Sequence, residues 1–291
     1  TFFVDVYSGE QLKKYTSLFS VIWAIGPIVA PFLGGFFQTT WGWESNFIFL
    51  GIFSFAFFLI EVMIGGESQK VAQPFSIKGI LGSYGKMIKT VDFSAGMIIL
   101  GLAYAMILLY GMASPFLIEQ RLHLSPKVTG YCALFSGVSV MIGGTLSRIL
   151  IKKPFVKKLI LASSLQLVAV AMLIFLTFYY QSLPTLLLYV FLLHSTGGFI
   201  FNNLMSYTLI RFPEYAGKAA GLVGGGFSVV TSILSSVLVN TLSITNQTIL
   251  GVAYAVLAVG LFLIIVKTKW VVNEDARAGE NKQRTPAAAA A

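Results

Sequence analysis

Eight long apolar runs, each nearly free of charge, take up most of this sequence. They cover residues 17–37, 45–64, 93–118, 128–151, 159–180, 184–210, 217–242 and 249–266. A helix needs about 20 mostly apolar residues to cross a bilayer. Hydrocarbon offers backbone groups no partner, so a span must be a helix or part of a closed barrel. Barrel strands would be shorter and would alternate apolar with polar, and these runs do neither. The expected fold is an all-α integral membrane bundle. Composition agrees, with 56% hydrophobic and 11% charged residues and a mean hydropathy of +0.83, against about 25% charged in a soluble domain.

The loops sort by charge. Lys13 and Lys14 precede the first run, and Lys70, Lys78, Lys86 and Lys89 follow the second. Arg148, Lys152, Lys153, Lys157 and Lys158 separate the fourth and fifth, and Arg211 and Lys218 the sixth and seventh. Lys267, Lys269, Arg277, Lys282 and Arg284 follow the eighth, while the opposite loops hold only Arg121 and Lys127. An excess of Lys and Arg marks cytoplasmic loops, so both ends of this chain and its basic loops are expected in the cytoplasm, with the chain multi-pass in the inner membrane. The net charge of +9 therefore reads as topology, with lipid bilayer and not nucleic acid as the partner. A monomer is expected.

The longest connection, residues 65–92, is basic and broken by Pro74, Gly79, Gly82 and Gly85. It divides residues 1–66 from a unit at 93–270, with a linker at 67–92 and a tail at 271–291 that is expected to be disordered. Residues 84–90 mix lysines with apolar residues, which suits either a helix lying on the membrane surface or a solvated linker. The single cysteine, Cys132, lies in an apolar run and reads as a small packed residue. Two histidines and one cysteine, without spaced metal ligands or a phosphate-binding glycine loop, give no sign of an enzyme, metal or cofactor.

Within the first run, Gly26, Pro27, Ala30, Pro31, Gly34 and Gly35 describe a bent helix. Each proline removes a donor and crowds the preceding turn, and Gly26, Ala30 and Gly34 share one face, where another backbone can approach closely. Gly217, Gly221, Gly225, Ser228, Ser232 and Ser235 form a longer small-residue seam, and Gly130, Ala133, Gly137 and Gly144 a similar stripe. Polar groups inside spans are costly and often mark a pathway. Ser195, Asn202 and Ser206 share a face, with Asn203 at its edge and His194 off it; Asn202 reads as a cavity residue or as an interhelical hydrogen bond. Tyr104 and Gln166 read as cavity lining or packing. His194 reads as a satisfied structural residue or a proton carrier, and Glu61, inside the second run, as a snorkelling carboxylate or a coupling group.

Several spaced motifs resemble one family. The loop Asp5-Val6-Tyr7-Ser8-Gly9-Glu10-Gln11-Leu12, the Gly26–Gly35 helix and the Trp41-Gly42-Trp43 turn resemble the fourth-to-sixth helix region of the major facilitator superfamily, and closely its Bcr/CflA multidrug efflux group. There, Gly26, Pro27, Ala30, Pro31, Gly34 and Gly35 match the antiporter motif. Ser114-Pro115-Phe116 and Leu124-Ser125-Pro126 look like the seventh helix and its outer loop. Ser147-Arg148 with Lys152 and Lys153 looks like the degenerate copy of the basic loop, and Phe212 to Gly221 the entry to the eleventh helix, with Ala220 where serine is frequent.

The resemblance implies a twelve-helix bundle of which eight helices are present, lacking about the first four. It implies export of small amphipathic compounds, drugs or other xenobiotics, by alternating access with the proton as coupling ion. A carrier of a specific metabolite, such as a sugar or amino acid, and a non-transporting sensor or scaffold remain open as alternatives.

Overall fold

The computed structural model describes residues 29–30, 32–66, 77–212 and 215–271. Gly26, Pro27 and Pro31 of the proline–glycine helix lie outside the described residues, as does the Asp5–Leu12 loop. Among the described residues every regular element is helical. The helices are α1 (residues 32–41), α2 (Glu44–Ile64), α3 (Ile77–Lys89), α4 (Val91–Pro115), α5 (Pro126–Ile149), α6 (Phe155–Tyr179), α7 (Leu183–Tyr189), α8 (Ser195–Ile210), α9 (Ala216–Leu242) and α10 (Gln247–Lys267).

Seven rods are long and apolar enough to cross a membrane, and they fall on the second to eighth sequence runs. Two contain π-helical turns. After Pro115, which cannot donate to the ladder, α4 continues as the π segment Phe116–Arg121. Between α7 and α8 the segment Val190–His194 is also π-helical, giving one continuous rod from Leu183 to Ile210. A π turn inside a helix is uncommon and frequently sits at a functional site.

Local chemistry fixes the rod ends. Ser182 and Thr185 form a reciprocal capping box at the start of α7, and the Asn246 side chain accepts the Ile249 N–H at 2.9 Å to start α10. Both satisfy donors that a helix N-terminus leaves without partners. The turn between α1 and α2 needs Gly42, whose φ is +88°, a value that costs glycine least.

Helix α4 is the centre of the larger unit, packing against α8, α9 and α10, while α5 lies on α8 and α6 on α10. Its buried side chains include Ile99, Leu100, Met106, Leu109 and Tyr110. Large apolar side chains such as Met172, Phe175 and Phe178 face outward. That surface would be a liability in water and is the ordinary one in lipid, where helix contact is driven by close packing of small residues.

The α5–α8 crossing shows this packing best. A Cβ built on Gly143 would collide with the Ser195 carbonyl and sit 2.7 Å from the Phe199 nitrogen, and one on Gly198 would lie 2.5 Å from the Val140 carbonyl. The buried residues of α5 are Gly130, Cys132, Ser136, Ser139, Gly143 and Ser147, so Cys132 is packed as expected and Gly130 of the sequence stripe is buried. The sequence stripe through Gly144 is rotated from this contact by one residue.

Helices α1 and α2 form a hairpin, with Phe37 and Phe49 rings 5.0 Å apart and Asn46 Nδ2 3.4 Å from the Gly34 carbonyl. No side chain of α2 is buried.

Candidate functional site

Three aromatic rings from three helices meet on one side of the larger unit. Tyr104 of α4 lies 5.8 Å from both Phe201 of α8 and Phe227 of α9, and the last two are 5.4 Å apart. Phe227 is buried beneath, while Tyr104 and Phe201 are half-buried and present part of their rings to the surface. Beside them on α8, Asn202 is half-buried and Ser206 exposed. The cluster offers apolar contact with a few hydrogen-bonding groups, the usual make-up of a small-molecule site.

The remaining candidates separate around this cluster. Asn202 Oδ1 accepts from Ser147 Oγ of α5 at 3.2 Å, so it makes an interhelical hydrogen bond to α5. Ser206 donates to the Asn202 carbonyl at 3.0 Å and Asn203, which is buried, to the Phe199 carbonyl at 2.8 Å. Gln166 is fully buried inside the bundle and donates to the Leu193 carbonyl at 3.4 Å. Tyr104 thus packs with Phe201 and Phe227, Asn202 turns to α5, and Gln166 lies inside the bundle.

Among the described residues the α9 seam is largely uncovered, with only Tyr84 Oη near Gly221 at 3.8 Å from a built Cβ. Gly217, Gly221, Gly225, Ser228 and Ser232 are exposed, and among the described residues a Cβ on Gly225 would meet nothing within 4 Å. Helix α9 packs on α4 through its other side, where Ala219, Val223, Phe227 and Thr231 are buried and Thr231 donates to the Gly101 carbonyl at 2.9 Å. Ser235, grouped with the seam by helical spacing, is buried and donates to the Thr231 carbonyl.

The described part of the proline–glycine helix reaches the larger unit at one place. A Cβ on Gly35 would lie 3.2 Å from both the Gly130 Cα and the Pro126 carbonyl, and Phe32 stacks near Tyr131 at 5.7 Å. Gly35 and Gly130 therefore pass backbone to backbone. Gly34 instead faces Asn46, and Ala30 is exposed.

At the end that carries the basic loops, Asp92 makes a cluster that linear reading counts with the linker. It stands in the first turn of α4, where the helix dipole favours a carboxylate, and it is buried. Its Oδ2 accepts from the Tyr207 hydroxyl of α8 and from Arg211 Nε at 2.8 Å. The Tyr207 oxygen also lies 3.1 Å from the Val271 carbonyl beyond α10. Phe155, Tyr207 and Trp270 stack around it, with Phe155 and Tyr207 rings 4.9 Å apart. The hydrogen bond to Asp92 raises the Arg211 pKa above its usual value, so the guanidinium stays charged. One carboxylate thereby ties the start of α4 to the end of α8.

Helix α3 docks beside this end. Lys218 Nζ lies 3.4 Å from Ser83 Oγ, and Lys86 and Lys218 flank the Tyr215 ring at 5.6 and 5.4 Å. Arg148, Lys152 and Lys153 are exposed, as is Glu61.

His194 closes the second π turn. It is fully buried, and its Nδ1 shares a hydrogen bond of 2.8 Å with Ser136 Oγ of α5.

Comparison with known proteins bears on all of this. Over 231 residues, or 76% of this chain, the sequence is 25% identical to a protein of Bacillus subtilis strain 168 named uncharacterized MFS-type transporter YdgK, covering 56% of that protein. Over 263 residues, or 90% of the chain, it is 24% identical to multidrug resistance protein D of Escherichia coli strain K12, covering 65% of that protein. The chain thus spans less than two thirds of the length of these relatives. The family model described as Major Facilitator Superfamily matches residues 1–235. With that match over most of its length and seven membrane-length helices among the described residues, the chain belongs to the major facilitator superfamily.

Proposed function

We propose that the protein is a secondary transporter that exports small amphipathic compounds, drugs or other xenobiotics, across the cytoplasmic membrane in exchange for protons. The observation that carries this reading is the aromatic face of Tyr104, Phe201 and Phe227, with the Asn202 amide and Ser206 hydroxyl beside it. Rings tolerate varied apolar cargo, and a cation over a ring face gains about 0.5–2 kcal/mol. The likeness to a protein named for multidrug resistance supports the same cargo class.

Alternating access requires two halves that rock about a central site. The Gly35–Gly130 approach supports a tight contact between the proline–glycine helix and the larger unit. A close, side-chain-free contact excludes water, which suits a device that resists proton leak. The basic loops support a cytoplasmic position for the Asp92 end.

The test is efflux from proteoliposomes carrying the full-length protein, with lipophilic cationic dyes and an imposed proton gradient. Gradient-dependent dye movement, collapsing with a protonophore, is expected. Folded protein that moves no member of a broad dye and drug panel overturns the efflux reading. Movement that ignores the proton gradient overturns the antiport.

A further inference from the structure

Membrane-protein interiors still obey the rule that buried polar groups find partners, because an unpaired one forfeits its full desolvation cost. Among the described residues, five buried side-chain atoms make no well-formed hydrogen bond within the protein: Tyr110 Oη, Gln166 Oε1, His194 Nε2, Ser195 Oγ and Tyr254 Oη; the Ser114 side chain lies near Tyr110 and the Met106 backbone near His194, without full hydrogen-bond geometry. They are not scattered. His194 and Ser195 are neighbours in sequence, and Gln166 is hydrogen-bonded through its amide nitrogen to the carbonyl of Leu193, the preceding residue. The Tyr110 and Tyr254 rings stand edge to face with the His194 ring, at 5.4 and 6.5 Å. All five therefore belong to one locality, where α4, α6, α10 and the π turn Val190–His194 meet. The four larger side chains are at most 2% exposed.

A polar trail leads from this locality to the weakly charged end of the bundle. Tyr254 lies beside Tyr189 at 6.2 Å, and the Tyr189 hydroxyl shares a hydrogen bond of 3.0 Å with Thr177 Oγ1. Thr248 Oγ1 donates to the Thr177 carbonyl at 3.0 Å and accepts from Gln181 Nε2 at 3.2 Å. Gln181 in turn lines a surface cavity of about 310 Å³, together with Leu117, Arg121, Leu122, Asn246 and Gln247.

We propose that the His194 locality is an internal water-binding site, supplied from the Gln181 cavity along the Thr248–Thr177–Tyr189 trail. A buried water typically makes about three hydrogen bonds to such otherwise unsatisfied groups. Hydroxyl tips, an imidazole nitrogen and an amide oxygen together present both donors and acceptors. The π turn belongs to the same locality, since it carries His194 at its end. Among the described residues the groups at this site are hydroxyls, an amide and an imidazole, which suit a neutral water. The proposal is independent of what the protein carries.

The sign of a conservative substitution decides it. A hydroxyl that bonds a water contributes stability, whereas a dry, unsatisfied one detracts from it. In the full-length protein in detergent, Tyr254→Phe and Tyr110→Phe are each expected to lower Tm by about 2–4 °C, the shift that one lost hydrogen bond gives in a protein of this size. An unchanged or raised Tm in both overturns the site. Radiolytic hydroxyl labelling supplies a second readout, because bound water generates radicals where it sits. Tyr110 and Tyr254 are expected to be oxidised in the folded protein despite their burial, and Thr177→Val is expected to slow the exchange of labelled water into their products. Absence of labelling at both rings overturns the site, and labelling that Thr177→Val leaves unchanged overturns the supply route.

Discussion

Breaking the Asp92 cluster from either side should have unequal effects, and the geometry says which is worse. Asp92→Ala removes the acceptor of two charge-assisted contacts, from Tyr207 and from Arg211. Hydrogen bonds to charged groups contribute about 1.5–3 kcal/mol each. The Arg211 side chain is 25% exposed, so its guanidinium regains water once released, and the pair must be discounted for that screening. A loss of about 3 kcal/mol is expected. Arg211→Ala leaves the opposite residue stranded: the Asp92 side chain is only 4% exposed, so its carboxylate stays in a dry site without a countercharge. Removing one partner of a buried pair typically costs about 3–5 kcal/mol, so this variant should be the less stable.

A double-mutant cycle isolates the pair. Equilibrium unfolding of the full-length protein in mixed micelles with increasing SDS measures all four corners. The double variant should recover about 2 kcal/mol relative to the sum of the singles, the range seen for residues in direct contact. Tyr207→Phe serves as a control that removes one hydroxyl and leaves the ion pair, at a cost of about 1.5–3 kcal/mol. Additivity within about 0.5 kcal/mol, or a less stable Asp92→Ala than Arg211→Ala, refutes the account of a buried carboxylate held by a rehydratable cation.

Gly143→Ala should destabilise by about 1–3 kcal/mol through overpacking, since its methyl meets the Ser195 carbonyl, whereas Gly144→Ala, whose nearest neighbour is Asn202 Nδ2 at 3.8 Å, should be near neutral in the same unfolding assay. Gly35→Ala forces the Gly130 backbone to give by a few tenths of an ångström, so transport in proteoliposomes should fall, or proton leak rise, with little change in Tm; normal coupled transport would count against the close contact. Tyr104→Ala should weaken binding of cationic dyes about 2–30-fold, the equivalent of about 0.5–2 kcal/mol of ring–cation attraction, while Tyr104→Phe should keep most of the affinity in fluorescence titration.

The spans were legible because hydropathy over about 20 residues reads transfer free energy into lipid directly, and that term dominates where each helix lies. Contacts between helices were less legible, because they depend on which face turns inward. The α5 stripe is visible in the sequence as Cys132, Ser136, Ser139, Gly143 and Ser147, at spacings of three and four. Counting only glycine and alanine misses it, although serine and cysteine permit nearly as close an approach. Asp92 was hidden for another reason. A charge beside a basic stretch reads as linker, and the partners that allow its burial, Tyr207 and Arg211, lie more than 100 residues away. His194 was legible as a buried polar group but not as the centre of a cluster, since its neighbours come from four other helices.

The α9 stripe poses the sharpest remaining question, because its two explanations give opposite signs. Glycine in a helix interior is less stable than alanine by about 0.5–1 kcal/mol, and nothing among the described residues stands within 4 Å of a Cβ on Gly224 or Gly225. Judged on the described residues alone, Gly225→Ala should therefore raise stability. A surface against which another helix slides or rocks would instead be filled by that methyl when the two come together. Gly225→Ala with unchanged or higher Tm and lower transport then identifies the stripe as a moving contact. A lower Tm together with lower transport identifies a fixed packing seam whose partner lies outside the described residues. Normal transport with higher Tm leaves the glycines without a mechanical role, and the rocking surface must then be sought at Gly35 and Gly130, where two backbones already meet.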